Sequence, residues 1–240
     1  AAQTDTANER TGAPMSVGIG CYGSHGPQAC YWIAQINALP AGVTGLSVSY
    51  GHGGHYAELQ DGLTQMATDS KSVITGVDIN PVNDAYGMSY MSTSTGGGFD
   101  LAQYTVPVSG LQAALTAEGA KGRIVTAISW NGADVTFLSY GWTGDTGTVY
   151  DIIYTQPTFA TADTVAKQLA QAGYIITTCG GDWGTPALWM VGSKVRGDTL
   201  PRPILTIRPP PSPQPIADGG YAIVGLFSQD GNADLWIGER

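Results

Sequence analysis

The sequence predicts an α+β fold built as a pseudo-symmetric array of four or five β-β-β-α repeats of about fifty residues, with mostly antiparallel strands. Three observations predict it. Segments rich in β-branched residues recur at a nearly constant spacing, a turn and a second apolar strand follow each of them, and short amphipathic segments separate these pairs. One such unit cannot bury its apolar face alone, so neighbouring copies must share a core. The pattern leaves open a closed, propeller-like ring and a two-layer arrangement of sheets and helices.

The recurrence is clearest at three threonines. Thr75, Thr126 and Thr177 each end a similar apolar segment, and they are spaced 51 residues apart. A fourth copy begins at Tyr221 and a fainter fifth copy at Ser16. We therefore predict one repeat-built domain over 16–240 after an N-terminal extension over 1–15, with β-hairpins near 16–34, 72–92, 123–142, 174–195 and 221–238.

The connectors between hairpins predict a strand followed by a short helix. In the third copy a strand over 103–106 leads into a helix that begins with a capping-box pattern, Ser109 and Gln112. Leu111 and Leu115 lie four residues apart and should form the buried face of that helix.

The connector over 201–216 differs from the others. Seven prolines lie within 201–215, and proline both fixes the backbone dihedral φ and lacks an N–H donor. We expect an extended polyproline-type segment here, and no helix.

Composition excludes several function classes. Ten basic and nineteen acidic side chains give a net charge of −9, which repels the phosphates of nucleic acid. No apolar run approaches the roughly 18 residues of a membrane-spanning helix, so we expect no membrane insertion. Few lysines and many small polar residues favour a secreted or periplasmic protein. The sequence is compatible with either a monomer or an oligomer.

The three cysteines have two interpretations. Cys21 and Cys30 flank the first turn and could form a disulfide across the hairpin in an exported protein. Counting along the repeat instead places Cys21 and Cys179 at one strand position, where the other copies have aliphatic residues. That count favours buried thiols that act as small apolar side chains.

A histidine cluster could bind a metal. His25 lies at the first turn, and His52 and His55 lie three residues apart in a glycine-rich segment that also contains Glu58. Imidazole and carboxylate ligands suit zinc or copper, and a bound metal would make a metal-dependent hydrolase possible. The alternative is that these imidazoles only form hydrogen bonds within the loop.

A second candidate site is the row of hairpin turns, which would come together if the copies pack side by side. Flat indole faces beside amides and carboxylates suit sugar rings, although Asn and Asp also favour turns whatever the function. The leading hypothesis is an exported module that binds a glycan or another polar polymer. The metal-dependent hydrolase and a structural subunit of an extracellular assembly are the alternatives. The predicted turn-surface residues are Trp130, Asn131, Asp134, Asp182, Trp183, Asp230, Asn232 and Asp234.

Overall fold

The chain forms a mixed α and β structure of small antiparallel sheets with few helices. The computed structural model describes residues 13–22, 29–37, 46–53, 72–80, 85–93, 99–130, 133–142, 147–181, 188–208, 214–229 and 233–239. Every described strand pair is antiparallel. This confirms the predicted class and strand direction.

Fourteen strands and three helices are described. The strands are β1 (Ala13–Tyr22), β2 (Ala29–Asn37), β3 (Leu46–Gly53), β4 (Ser72–Asn80), β5 (Ala85–Thr93), β6 (Phe99–Pro107), β7 (Arg123–Trp130), β8 (Asp134–Trp142), β9 (Tyr150–Thr155), β10 (Ile175–Gly181), β11 (Leu188–Val195), β12 (Ile204–Ile207), β13 (Ala222–Gln229) and β14 (Ala233–Glu239). The helices are α1 (Val108–Ala120), α2 (Ala162–Gln171) and α3 (Gln214–Asp218). β1 begins inside the predicted N-terminal extension.

Four of the five sheets share one strand order. Their orders are β3-β5-β4, β6-β8-β7, β9-β11-β10 and β12-β14-β13. In each of them the second hairpin strand is central, and the connector strand that precedes the hairpin covers its free edge. The first sheet contains β1 and β2 alone among the described strands.

All five hairpins carry a bulge at a corresponding place in the first strand. The pairing register skips one residue there: Val17, Thr75, Thr126, Thr177 and Val224. An extra residue bends a strand and increases its twist. Counted from the bulge, Ile19 corresponds to Cys179, and Cys21 lies two residues further toward the turn. The sequence-based alignment of Cys21 with Cys179 is therefore wrong by two residues.

The apolar core joins consecutive sheets. One cluster combines α1 and its own sheet with the sheet that follows: Leu111, Leu115, Val125, Ile128, Val135, Phe137, Ile152, Trp189 and Val191. A second cluster repeats this between α2, its sheet and the last sheet: Ala162, Ala166, Leu169, Ile176, Leu188, Met190, Leu235 and Ile237. Leu111 and Leu115 are fully buried as predicted, and each contributes about 1.5–3 kcal/mol of transfer free energy.

Helix α1 also covers the edge strand of the next sheet. The Gln112 side chain donates a hydrogen bond from Nε2 to the Ile152 carbonyl (2.8 Å) and accepts one at Oε1 from the Tyr154 N–H (3.3 Å). Gln112 thus satisfies backbone groups of β9 on the side where no other described strand pairs with it, and it does not form the predicted capping box. Helix α1 begins after Pro107 without a side-chain cap, so Ser109 lies inside the first turn.

The proline-rich connector also departs from the prediction. Residues Ile204–Ile207 form β12, which pairs with β14, and α3 follows over Gln214–Asp218. Pro215 is accommodated because the first turn of a helix needs no N–H donor from that residue. The expectation of no helix over 201–215 is therefore wrong at its C-terminal end, while 209–213 lie outside the described residues.

The first strands of the hairpins contact one another. β7 contacts β4 and β10, β13 contacts β10 and β1, and β1 contacts β4. Strand pairing does not continue from one sheet to the next, and the described strands form no closed barrel or propeller. Among the described residues, no helix has the length and hydropathy needed to cross a membrane.

Candidate functional site

The predicted turn surface is described at three of its residues. Trp130 ends β7, Asp134 begins β8 opposite Pro107, and Asp234 lies in β14 opposite Ser228. Trp130 and Asp134 are both partly exposed and flank the turn at 131–132. The remaining predicted residues lie outside the described part of the chain: Asn131, Asp182, Trp183, Asp230 and Asn232.

Trp130 belongs to an aromatic stack that continues into the core. Its indole packs against Trp189 with ring centroids 6.1 Å apart and planes inclined by 59°, and Trp189 stacks on Tyr154 at 5.8 Å. Trp189 is 1% exposed, so Trp130 packs on a buried ring. Among the described residues, the buried indole N–H groups of Trp130 and Trp189 have no hydrogen-bond acceptor. The outer indole therefore packs on the core and is only partly covered by the described protein.

The histidine cluster is described at one residue only. His52 lies in β3, opposite Gly87 of β5. His25, His55 and Glu58 lie outside the described residues, so the zinc or copper site stays a prediction. Within the described ranges, no three His, Cys, Asp or Glu side chains are grouped as metal ligands.

A buried carboxylate cluster, which the sequence reasoning missed, fixes the end of α1. Glu118 is 1% exposed, and its Oε1 accepts hydrogen bonds from the Tyr104 hydroxyl and the Lys121 ammonium, both at 2.7 Å. Its Oε2 accepts from Ser139 Oγ at 2.5 Å and from the Arg123 guanidinium at 3.2 Å. Arg123 also pairs with the exposed Asp100.

The hydrogen bonds around Glu118 decide its charge. Burial alone would raise the pKa of this carboxyl, but hydrogen bonds from Lys121, Ser139 and Tyr104 outweigh burial and hold the pKa below its usual value. Both oxygens are fully occupied by protein donors, which leaves no free lone pair for a substrate. This cluster is therefore structural. Its sequence signal was the spacing Leu111, Leu115, Glu118, which places the acid on the apolar face of the helix.

A second buried acid, Glu239, has a raised pKa, whereas the pKa of Glu118 is lowered. Glu239, at the end of β14, is 5% exposed and accepts a hydrogen bond at Oε2 from the Ile176 N–H (2.8 Å), while Oε1 has no partner within the described part of the chain. Burial raises the pKa of Glu239 to about 7, against the weaker opposing effects of this hydrogen bond and of Arg202. Burial, and then the charge of Glu239, also raise the pKa of the Cys179 thiol well above its usual value. A thiol of this kind is a poor nucleophile.

A shallow groove of about 640 Å³ follows the outer face of α2. Its lining comes entirely from that helix and the residue after it, and includes Asp163, Lys167 and Gln171. Asp163 is engaged by Lys167 at 3.0 Å and by the Thr206 hydroxyl. The groove therefore offers an exposed polar surface without converging groups from a second element, and Trp130 remains the better candidate for ligand contact.

No protein-family model, curated protein or solved structure matches this chain.

Proposed function

We propose that the protein is an exported module that binds a glycan, or another polar polymer, on the surface formed by its hairpin turns. The observation that carries the proposal is the contact series of Tyr154, Trp189 and Trp130, which ends in a partly exposed indole at the end of β7. Sugar rings present C–H groups to flat aromatic faces and hydroxyls to neighbouring polar groups. Asp134 and the predicted turn residues would supply those polar groups.

The proposal includes a pseudo-symmetric arrangement of five units that brings the turns together. Support comes from the common strand order, from the bulge in each first strand and from contacts among the first strands of all five hairpins. Each first strand leads toward its own turn. Where neighbouring units have a common direction, their turns would therefore lie at one end of the array.

The surface charge favours some ligands over others. A net charge of −9 disfavours phosphate-rich and sulfate-rich polymers, since these repel an acidic surface over about a Debye length. Neutral polysaccharides carry no such penalty. We therefore expect binding that changes little between low and physiological salt.

The test combines a glycan array with alanine variants of the turn surface. The Trp130→Ala and Trp183→Ala double variant should lose most of the binding, because truncation of a tryptophan that anchors a ligand commonly costs about 2 kcal/mol or more, or roughly thirtyfold in affinity. Trp142→Ala is the matched control, because Trp142 lies at the far end of the same hairpin as Trp130, opposite Phe99.

Circular dichroism and thermal unfolding of each variant establish that a lost signal reflects the surface and not the fold. Unchanged binding by a folded double variant would refute the proposal. Equal losses in the double variant and in Trp142→Ala would refute the assignment of binding to the turns.

A further inference from the structure

The first hairpin places two cysteines directly opposite each other. Cys21 of β1 and Cys30 of β2 are Cα partners in the antiparallel register, one pair before the last pair at the turn. Directly opposed Cα atoms in an antiparallel ladder lie about 4.5 or 5.5 Å apart. Disulfides require about 4.4–6.8 Å between Cα atoms. We infer that Cys21 and Cys30 form a disulfide across this hairpin.

The surrounding architecture gives this cross-link a physical role. In the other four sheets a third strand pairs with the second hairpin strand, whereas among the described strands β2 pairs with β1 alone. A two-stranded hairpin is marginally stable by itself. A covalent link beside the turn would hold the register that a third strand secures elsewhere.

The pair at the corresponding place differs from one hairpin to another. Counted from the bulge, the Cys21–Cys30 pair matches these pairs of the other hairpins: Ile79–Tyr86, Trp130–Val135, Gly181–Leu188 and Ser228–Asp234. Val135 is fully buried and Trp130 packs on the core cluster, so an apolar pair closes that hairpin near its turn. The first hairpin has two cysteines at this place, and a bond between them would close the hairpin covalently and restrict the unfolded chain.

Formation of the bond requires a disulfide-containing oxidant, as found in oxidising compartments. One cysteine thiolate attacks the oxidant's disulfide, releases one thiolate and forms a mixed disulfide. The second cysteine thiolate then attacks the first cysteine's sulfur and releases the other half of the oxidant. Two thiols are oxidised, one external disulfide is reduced to two thiols, and the protons of the cysteines end on those thiols.

Counting reactive thiols tests the inference, with Cys179 as an internal reference. Cys179 is a free cysteine in β10, opposite Met190. The protein is refolded in a glutathione redox buffer, quenched with acid, denatured and alkylated, and its intact mass is measured. We expect one alkyl group without reductant and three after reduction. Three alkyl groups without reductant would overturn the inference.

Variants and mapping identify the pairing. Cys179→Ser should take up no alkyl group before reduction, and Cys21→Ser should take up two. Chymotryptic cleavage after Tyr22 opens the loop between the cysteines, so the two resulting peptides should separate only after reduction. A peptide joined to the one that contains Cys179, or a Cys21→Ser variant that takes up no alkyl group, would show a different pairing and refute the inference. These readouts do not depend on any ligand.

Discussion

Glu239 makes the stability of the protein depend on pH near neutrality. The folded state holds its proton until about pH 7, whereas the unfolded state releases it near the ordinary value of 4.5. The folded state therefore binds more protons across this window, and the free energy of unfolding falls as pH rises from about 4.5 to 7. Ionisation of Glu239 lowers the free energy of unfolding by on the order of 3 kcal/mol at most across this window, because backbone relaxation and water entry reduce the effect.

Glu239→Gln should remove that dependence. Glutamine retains an acceptor for the Ile176 N–H without ionising, so the variant should gain stability relative to the wild type as pH rises through the window. Urea unfolding followed by tryptophan fluorescence at several pH values between 4.5 and 8 measures the difference. Parallel stability curves for the two proteins would show that Glu239 ionises normally.

Glu118 should behave in the opposite way, since its folded-state pKa is lowered. Its contribution is present above the ordinary pKa and is lost as pH falls through the lowered value. Glu118→Gln should cost about 3 kcal/mol at pH 7, because Arg123 is left without its buried partner. Asp100→Asn is the control. It removes the other partner of Arg123, but Asp100 is 58% exposed, so we expect a cost below about 1 kcal/mol. Equal unfolding free energies for the two variants would contradict this account.

At the scale of elements, the closest approach between α1 and β9 depends on one glycine. A Cβ on Gly119 would lie 2.3 Å from the Tyr150 carbonyl oxygen, and a strand carbonyl cannot move aside without disturbing the sheet. Gly119→Ala should therefore destabilise the protein by about 1–3 kcal/mol, as overpacked cores do.

Gly110 offers a control in the same helix. A Cβ there would lie 3.9 Å from Pro107 Cγ, so Gly110→Ala adds a better helix former in open space. We expect it to stabilise the protein by about 0.5–1 kcal/mol. Chemical unfolding of both variants measures the two effects, and a stabilising Gly119→Ala would refute the close approach.

The individual strands and helices were predictable from the sequence to different degrees. Alternation of β-branched residues predicted the hairpins near Thr126 and Thr177, because half-buried strands impose that pattern on side chains. It did not predict β12, because a strand of four residues with prolines close on both sides is too short to show an alternating pattern. The capping box predicted at Ser109 and Gln112 is wrong because both residues also occur in the interior of helices. Only the position of β9 in the fold shows that the Gln112 side chain binds the backbone of that strand.

The candidate site was less predictable than the elements, for a physical reason that belongs to the whole molecule. A turn residue such as Trp130 is recognisable in the sequence, but its support by Trp189 and Tyr154 depends on how two sheets pack. Glu118 has a spacing signal on the apolar face of α1, but its partner Ser139 lies 21 residues away, and Ile176, the partner of Glu239, lies 63 residues away. The spacing of residues along the chain does not show which distant residues will come into contact in the fold.

The proposed gathering of the five hairpins can be tested as a ratio of two distances. β1 has Cα atoms within 8 Å of both β4 and β13, which belong to the second and the last hairpins. Spin labels on unnatural amino acids, which leave the cysteines intact, would be placed between the paired strands at Ser24 with Asp84 and at Ser24 with Asn232. If the first hairpin lies beside both the second and the last, pulsed dipolar spectroscopy should give similar distances for the two pairs. In an open row with sheets about 10 Å apart, the second distance would be about 40 Å, or fourfold the first. A fourfold ratio would refute the gathering of the five turns into one binding surface.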